Sequence, residues 1–323
     1  MRTKGGMTAT VLIAQIALPL ALIAWLGLRP LPGRAGLALQ ASSIGAALVA
    51  LALVAQWAVL PWWMPRLYAL LWALALWRAL RIRSQPVAGG TAPRIETMFA
   101  ALLLVGSSAL TAQALAGRVP PAGPVVALAN PFAQGRYLVG NGGSSLWINA
   151  HLRTLASRVP RYRRWRGQSH AVDVFGLNAA GTRAAGWRPA DPARYAIFGA
   201  PLVAPCTGRV LAARGDMPDL RVPQQDSENR LGNHVILDCG DVVVVLAHLQ
   251  QGSLGVAAGV QVAQGAALGR VGNSGASAEP HLHVHAQRRG PPGAPLDARP
   301  LPIRIDGRYL VRGDRLRGGG NGG

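Results

Sequence analysis

The sequence is poor in cysteine and almost lacks lysine. Cys206 and Cys239 are the only cysteines, which excludes a zinc site built from a cluster of thiolates. The two either pair in an oxidising compartment or remain small buried thiols, because sequence alone does not say whether their Cα atoms lie within bridging distance. Lys4 is the only lysine, so the net charge of +20 rests almost wholly on arginine.

This excess of positive charge favours anionic partners, such as lipid headgroups, nucleic acid or an acidic cell-wall polymer. A codon preference for arginine would give the same composition without any such partner. The sequence carries no aromatic-studded basic helix and no nucleic-acid-binding motif, which argues against nucleic acid. We therefore expect the cell wall or a membrane surface to be the anionic partner.

Acidic residues are absent from positions 1 to 94. The same segment contains nine Lys or Arg residues and six of the nine tryptophans, whereas every acidic residue except Glu96 lies beyond residue 170. This break in composition predicts an α-helical membrane region over residues 1–117, followed by a soluble region.

Three apolar runs in the membrane region are long enough to form transmembrane helices, since about 20 residues cross a bilayer. They cover residues 8–28, 39–60 and 97–116. A cleaved signal peptide is the alternative for the first run, which is long for such a segment and is soon followed by the second. A fourth run, residues 67–80, is shorter and ends among arginines, so we expect an interfacial helix there.

The distribution of arginine predicts the orientation of the spans. Five arginines lie between the second and third spans, whereas only Arg29 and Arg34 lie between the first and second. Because positively charged connections stay in the cytoplasm, we expect a multi-pass protein of the inner membrane whose soluble region is periplasmic. If residues 67–80 crossed the membrane as a fourth span, counting from a cytoplasmic N-terminus would put the soluble region in the cytoplasm instead.

The soluble region has no sustained helical periodicity after residue 160. Short apolar runs alternate with Gly/Pro turns, a pattern that predicts a mainly β fold with one antiparallel β-sheet domain over residues 136–307. A proline-rich linker over residues 118–135 precedes it, and a glycine-rich flexible tail over residues 308–323 follows. The expected strands cover residues 171–175, 209–213, 234–238, 242–248, 268–271 and 281–287.

Three histidines alternate in the last of these strands. On a strand, His281, His283 and His285 project from one face, which suits a metal site, although the polar face of an exposed strand is the alternative. A Gly/Asn/Ser turn at residues 269–275 leads into this strand.

Groups elsewhere in the sequence can complete a metal site beside this strand. Asp173 and His248 lie in other predicted strands, and His151 lies further upstream. One carboxylate and two imidazoles form a tetrahedral site whose fourth position stays open for water, the arrangement of catalytic zinc. Imidazole with carboxylate suits Zn²⁺, so zinc is the expected cofactor.

Around these groups the sequence resembles the lysostaphin/LytM-type zinc metallopeptidases, which cut peptide bonds in bacterial peptidoglycan. The resemblance is carried by Asp173 and by residues 247–249, 259–265, 269–275 and 280–283, and it extends over about residues 165–290. It implies that Asp173 and His283 are zinc ligands. It also implies that His248 and His281 are catalytic histidines that do not bind the metal.

The first zinc ligand departs from the family pattern. The family usually has a histidine four residues before the aspartate, where this sequence has Ser169, and His170 stands three before. On a regular strand an offset of three puts His170 on the face opposite Asp173, so it would need a bulge to reach the site. His151 comes from a separate segment and needs no such distortion, although a surface position on a short helix is its alternative. We favour His151 and retain His170 as the alternative ligand.

The resemblance implies a membrane-anchored zinc metalloendopeptidase that acts on peptidoglycan stem peptides or cross-links. An inactive domain of the same fold, binding the cell wall or regulating other wall hydrolases, is the alternative. A transport or assembly role for the spans is a third hypothesis, which no intramembrane ionisable residue supports. Partners in wall synthesis or hydrolysis would fit either of the first two. We expect His285 at the solvent edge and His234 in a structural role.

Overall fold

The computed structural model describes residues 10–82, 91–156 and 158–319. The predicted start of the first span at residues 8–9 and the last four residues of the predicted tail lie outside these ranges. The chain divides into two compact units. The helical unit comprises Met1–Ala55 and Trp63–Leu115, and the β unit comprises Gln56–Trp62 and Ala116–Gly323.

The described residues of the helical unit form four helices. They are α1 (Thr10–Leu28), α2 (Gly33–Val54), α3 (Met64–Ile82) and α4 (Thr91–Ala116). Within the described residues, three helical segments are long and apolar enough to cross a membrane: Thr10–Leu28, Gly33–Val54 and Arg94–Ala116. Helix α3 is not among them, because Arg66, Arg78 and Arg81 lie within it.

Hydrogen bonds and ion pairs give the directions of these helices. The Tyr68 hydroxyl donates to the carbonyl of Gln15 at 2.5 Å, and Arg78 donates to the carbonyl of Gly27, so α1 and α3 run in the same direction. Arg29, just after α1, pairs with Glu96 near the start of α4 at 3.5 Å. Helix α4 therefore begins at the end of the unit where α1 and α3 finish.

The β unit is mainly antiparallel, as the sequence predicted. Its strands are β1 (Val126–Leu128), β2 (Gly135–Asn141), β3 (Val172–Gly176), β4 (Pro201–Val203), β5 (Gly208–Arg214), β6 (Asn233–Asp238), β7 (Val243–Leu249), β8 (Gln261–Val262), β9 (Ala267–Arg270), β10 (Leu282–Gln287), β11 (Pro300–Leu301), β12 (Ile303–Ile305), β13 (Arg308–Tyr309) and β14 (Arg315–Gly318). A short helix, α5 (Pro160–Arg163), and 3₁₀ helices at Ala150–Leu155, Arg166–His170 and Pro192–Arg194 lie between strands. All six predicted strands are present, with ends shifted by at most one residue.

Nine strands form the main sheet, in which every pairing is antiparallel. The order is β14-β2-β3-β10-β7-β6-β5-β8, and β11 adds to one end of β10. One smaller sheet has the order β1-β12-β13, and another pairs β4 with β9. Strands β7 and β10 lie centrally and are buried along their whole length, which fixes the positions of the side chains that they carry.

The two faces of the central strands have different compositions. Leu282, Val284 and Ala286 of β10 point into the main hydrophobic core. The intervening residues point to the opposite face, where Val245 and Ala247 of β7 belong to a smaller apolar cluster. Alternation along a strand thus collects polar groups on one face of a rigid sheet.

The β unit includes segments that the sequence prediction assigned to the linker and the tail. Strand β1 lies in the predicted linker and pairs with β12, and β14 lies in the predicted tail and pairs with β2. Cys206 and Cys239 form a disulfide, with their Cα atoms 6.1 Å apart.

Candidate active site

Asp173 lies at the centre of a cluster of histidines. Strand β3 pairs with β10 so that Asp173 is directly opposite His283, and cross-strand partners share a face. His283 Nδ1 is 3.0 Å from Asp173 Oδ1, and His281 Nε2 is 3.7 Å from the same oxygen. Burial raises the pKa of Asp173, but the charges and hydrogen bonds of the surrounding histidines outweigh it and hold that pKa well below its usual range.

His151 reaches the other oxygen of this carboxylate. Its Nε2 atom is 2.9 Å from Asp173 Oδ2. The residue lies in the 3₁₀ helix Ala150–Leu155, whose first turn is capped by the Asn149 side chain accepting from the His151 N–H. Asn149 itself is fully buried and donates to the carbonyls of Gly143 and Ala171. A glycine-rich turn and a buried cap therefore fix the position of His151.

His170 lies outside this cluster. It ends the 3₁₀ helix Arg166–His170 rather than lying on the strand, so no strand bulge turns it towards Asp173. Its buried Nδ1 has no hydrogen-bond partner among the described residues, and burial lowers its pKa. Ser169, at the family's usual ligand position, is bonded to Thr154 and to the carbonyl of Arg166. The structure thus brings His151, and not His170, to the carboxylate.

His248 reaches the site through a break in the alternation of β7. Ala247 pairs with His234 and Leu249 pairs with Asn233, which leaves His248 as an extra residue. Its φ of 66° lies in the left-handed region, as expected for a bulge that reverses side-chain direction. Leu249 consequently points into the core, and the His248 ring lies 4.8 Å from the His281 ring.

Hydrogen bonds fix which nitrogen of His248 and His281 carries the proton in the neutral rings. His248 Nδ1 is 3.0 Å from the carbonyl oxygen of Ser274, and His281 Nδ1 is 2.8 Å from that of Glu279. A carbonyl oxygen only accepts, so each Nδ1 donates and each Nε2 keeps a free lone pair. Burial, together with the neighbouring His281 and His283, holds the pKa of His248 well below its usual range.

A chain of hydrogen bonds sets the tautomer of His283. Gln287 donates to the carbonyl of Pro295 at 2.5 Å, so its Oε1 accepts from His285 Nε2 at 3.3 Å. His285 Nδ1 is then unprotonated and accepts from His283 Nε2 at 3.0 Å. Burial lowers the pKa of both imidazoles, which keeps them neutral. His283 Nδ1 is therefore left with a lone pair directed at Asp173.

This arrangement fits a metal ion. Ligand atoms of His151, Asp173 and His283 lie within 4.8 Å of one another. The unprotonated His283 Nδ1 faces a carboxylate oxygen at 3.0 Å, and two acceptors at that distance repel each other unless a cation lies between them. Two imidazoles and one carboxylate suit zinc and leave its fourth position open.

Arg312 supports the carboxylate from the C-terminal segment. It donates to the carbonyls of Gly140 and Trp147 and, through Nη2, to Asn141 Oδ1 at 2.8 Å. Asn141 in turn donates to Asp173 Oδ2 at 2.8 Å. Burial lowers the pKa of Arg312 to about 10, and Asp173 partly opposes this shift.

Two features of the site differ from the sequence prediction. His285 is 1% exposed and hydrogen-bonded on both nitrogens, rather than lying at the solvent edge. Arg312 and Asn141 were not identified, because no local motif links either residue to Asp173. His234 bonds through Nδ1 to the carbonyl of Gly232 and lies outside the cluster, in keeping with a structural role.

One protein-family model matches part of the chain. Residues 194–295 match Peptidase family M23. The matched segment contains His248, His281 and His283, whereas Asp173 and His151 precede it. Over this segment the chain is similar to M23 peptidases.

Solved structures give similarities of low identity, and no curated protein matches the chain. The catalytic domain of lysostaphin from Staphylococcus simulans is 21% identical, with 40% of this chain and 72% of that chain covered and a TM-score of 0.26. A zinc-containing peptidase from Vibrio cholerae is 17% identical, with 46% of this chain and 48% of that chain covered and a TM-score of 0.22. Pseudoalterin, a deep-sea M23 metalloprotease, is 14% identical, with 60% of this chain and 99% of that chain covered and a TM-score of 0.34. The chain spans only 39% of the length of a similar solved chain from Pseudomonas aeruginosa.

Proposed function

We propose that this protein is a membrane-anchored zinc metalloendopeptidase that hydrolyses peptide bonds in peptidoglycan stem peptides or cross-links. The observation that carries the proposal is the convergence of His151, Asp173 and His283, beside two imidazoles with free Nε2 lone pairs. The match of residues 194–295 to Peptidase family M23 supports the peptidase class.

His151 Nε2, a carboxylate oxygen of Asp173 and His283 Nδ1 would hold the zinc ion. When bound, zinc supplies a Lewis acid that polarises the scissile carbonyl and lowers the pKa of a water molecule. Asp173 adds the negative charge that favours a cation in this buried position. Arg312 and Asn141 keep its oxygens oriented towards the two imidazoles.

His248 and His281 would orient the attacking water and transfer its proton. The neutral His248 accepts a hydrogen bond at Nε2 and orients the attacking water. The more accessible His281 takes the proton at Nε2 as the carbonyl carbon is attacked, and then returns it to the leaving amine. Its Nδ1 contacts the Glu279 carbonyl and the Ser277 hydroxyl, so the ring keeps its direction through this cycle.

Separate substitutions test this division of roles. We expect purified His151→Ala and His283→Ala proteins to lose bound zinc, and His281→Ala to keep zinc while losing hydrolysis of isolated peptidoglycan. His170→Ala should keep both. Metal analysis and chromatography of released fragments give the two readouts. A folded wild-type protein that binds no zinc and releases no fragments would indicate the inactive, regulatory alternative.

We further propose that the β unit lies outside the cytoplasm, in the periplasm, and that the helices anchor it in the inner membrane. The apolar helices support the anchor. The Cys206–Cys239 disulfide supports an oxidising compartment, since such bonds are rare in the cytosol. The arginines in and beside the connection between α3 and α4, Arg78, Arg81, Arg83 and Arg94, support the same orientation.

We propose four crossings in place of the expected three, with α3 added to the three apolar helical segments. Gln56–Trp62 belongs to the β unit, as hydrogen bonds from Trp62 N to Gly181 O and from Arg183 N to Ala58 O indicate. Residues 56–62 and 116–319 therefore share one side of the membrane, and α3 and α4 both cross or neither does. Nineteen residues of α3 extend about 28 Å, close to the thickness of the hydrocarbon core.

Four crossings put residues 1–9 on the same side as the β unit. They also collect six arginines at the cytoplasmic end of the helices: Arg29, Arg34, Arg78, Arg81, Arg83 and Arg94. Only Arg2, Lys4 and Arg66 then belong to the opposite end. Three crossings give seven positive residues against two, so the positive-inside rule does not favour four. The support for four crossings is the place of residues 56–62 in the β unit.

Thiol labelling in intact spheroplasts tests the crossings. A membrane-impermeant maleimide should label Val119→Cys in either topology and should not label Gln85→Cys in either. Gly6→Cys distinguishes the two topologies, because it is labelled with four crossings and protected with three. Protection of Gly6→Cys until the membrane is permeabilised would restore the three-span arrangement.

A further inference from the structure

A cavity of about 650 Å³ opens beside His151 in the β unit. Its walls include Arg153 from the 3₁₀ helix, Arg164 after α5, and Arg230 from the loop between β5 and β6. Tyr162 and Trp165 add aromatic surface. Because His151 contacts Asp173 at 2.9 Å on its other side, the cavity adjoins the candidate metal site.

The positive charge in this cavity is not neutralised within the part of the chain that the structure describes. No carboxylate lines the cavity, and Arg153, Arg164 and Arg230 form none of the ion pairs found among these residues. The nearby Arg163, by contrast, pairs with Asp297 at 3.1 Å. Three exposed guanidinium groups around one cavity therefore remain available to an anion.

Contacts among its lining residues fix the walls of the cavity. The carbonyl of Arg230 accepts from Ala276 N at 2.9 Å, which ties the loop to the segment that leads into β10. The Arg230 guanidinium lies 5.4 Å from the centre of the Trp165 ring. Thr154 donates to the carbonyl of His151 at 2.7 Å, which fixes the wall between the cavity and the metal site.

We infer that this cavity binds a free carboxylate of the peptide substrate, within a few residues of the bond that is cut. Guanidinium groups bind carboxylates through paired hydrogen bonds, and the aromatic walls accept the apolar part of the same residue. Peptidoglycan stem peptides carry free carboxylates. The inference rests on the proposed function, because it assigns the recognition of the substrate to residues beside the same site.

Hydrolysis of paired substrates tests the inference with the full-length protein in detergent. The substrates are a cross-linked muropeptide and the same muropeptide with its carboxylates converted to carboxamides. We expect Arg230→Gln and Arg164→Gln to lower kcat/KM on the charged substrate by about 10- to 100-fold, the range for a charge-assisted hydrogen bond. The loss in both variants should be much smaller on the amidated substrate, because a carboxamide carries no charge for the guanidinium to pair with. Arg230→Lys should recover part of the loss.

Arg221→Gln is the matched control, because Arg221 is exposed on the same loop and does not line the cavity. It should behave as wild type on both substrates. Equal losses on charged and amidated substrates, or no loss in either cavity variant, would overturn the inference.

Binding separates failure of this inference from failure of the proposed function. The dissociation constants of both muropeptides are measured by calorimetry with the His281→Ala protein, alone and combined with Arg230→Gln. A preference for the charged muropeptide that Arg230→Gln removes supports the cavity even if the wild-type protein proves inactive. Hydrolysis by the wild type without any such preference contradicts the cavity alone.

Discussion

The lone pair on His283 Nδ1 depends on two residues, His285 and Gln287, that are not hydrogen-bonded to Asp173. Gln287 fixes the protonated nitrogen of His285, and His285 fixes that of His283. Without this chain, His283 can place its proton on Nδ1 and donate it to Asp173, and the nitrogen is then lost as a ligand. Residues beyond the ligands thus set the affinity for the metal.

Two substitutions at His285 test this dependence. His285→Leu removes the acceptor for His283 Nε2, and we expect zinc affinity to fall by about 10- to 100-fold. His285→Gln can keep an acceptor oxygen and should lose much less. Competition with a chromophoric chelator measures both affinities. Equal affinities in the two variants would show that packing, rather than the hydrogen bond, is the contribution of His285.

Strand alternation in the sequence put His281 and His283 on one face, and the family resemblance added Asp173 and His248. His281 and His283 share a face because they are two apart, and β3 adds Asp173 opposite them. His285 shares that face, but its burial depends on Gln287 and on the segment around Pro295, which no periodicity reveals. His151 was favoured because it comes from a separate segment, whereas His170 would need a strand bulge. The contact of His151 with Asp173 could be found only in the folded structure.

Arg312 was missed because its link to the site is non-local. It lies 139 residues after Asp173 in the sequence and acts through Asn141. Its local sequence, rich in glycine and arginine, resembles a tail.

We expect Arg312→Met to destabilise the β unit by about 1–3 kcal/mol, since it leaves the buried Gly140 carbonyl without its closest donor. Zinc affinity should fall as well, because Asn141 is released. Thermal unfolding and chelator competition measure the two effects. Arg317→Met, at an exposed position of the same segment, is the control and should change neither.

At the scale of secondary-structure elements, the bulge in β7 changes which face His248 occupies. A regular β7 would direct residue 248 into the core and residue 249 towards the site, the reverse of what the structure has. The sequence predicted a strand ending at His248, and the resemblance placed this histidine in the site. Nothing in the pattern signals the left-handed residue that turns its side chain there. The bulge therefore supplies one of the two free imidazoles beside Asp173.

The backbone at this bulge gives a stability prediction that is independent of activity. Asn tolerates the left-handed region, whereas a β-branched residue is strained there. His248→Val should therefore be less stable than His248→Asn by about 1–2 kcal/mol, although both lose the imidazole. Urea unfolding followed by circular dichroism measures the difference. Equal stabilities would mean that the strand straightens when the histidine is removed.

At the scale of the whole molecule, the connection between α2 and α3 is part of the β unit. Trp57 and Ala58 are each 3% exposed, and the Arg315 guanidinium lies 4.0 Å from the centre of the Trp62 ring. Gln56 Nε2 donates to the carbonyl of Gly140, which also accepts from Arg312. A segment of the membrane region thus joins the hydrogen bonds that support Asp173. The sequence assigned residues 56–60 to a span because they continue an apolar run.

A fragment beginning at residue 116 lacks this connection, so we expect it to be less stable than the β unit of the complete protein. Losing a buried tryptophan costs about 3–5 kcal/mol, which for a unit of this size lowers Tm by on the order of 10 °C. Trp57→Ala in the complete protein should give a similar decrease in Tm in detergent.

Trp63→Ala is the matched control, because Trp63 is 42% exposed and belongs to the helical unit. If the fragment unfolds at the same temperature as the complete protein, and Trp57→Ala behaves like Trp63→Ala, the connection contributes nothing to the β unit. The proposal of four crossings would then lose its support as well, because it depends on residues 56–62 being part of the β unit.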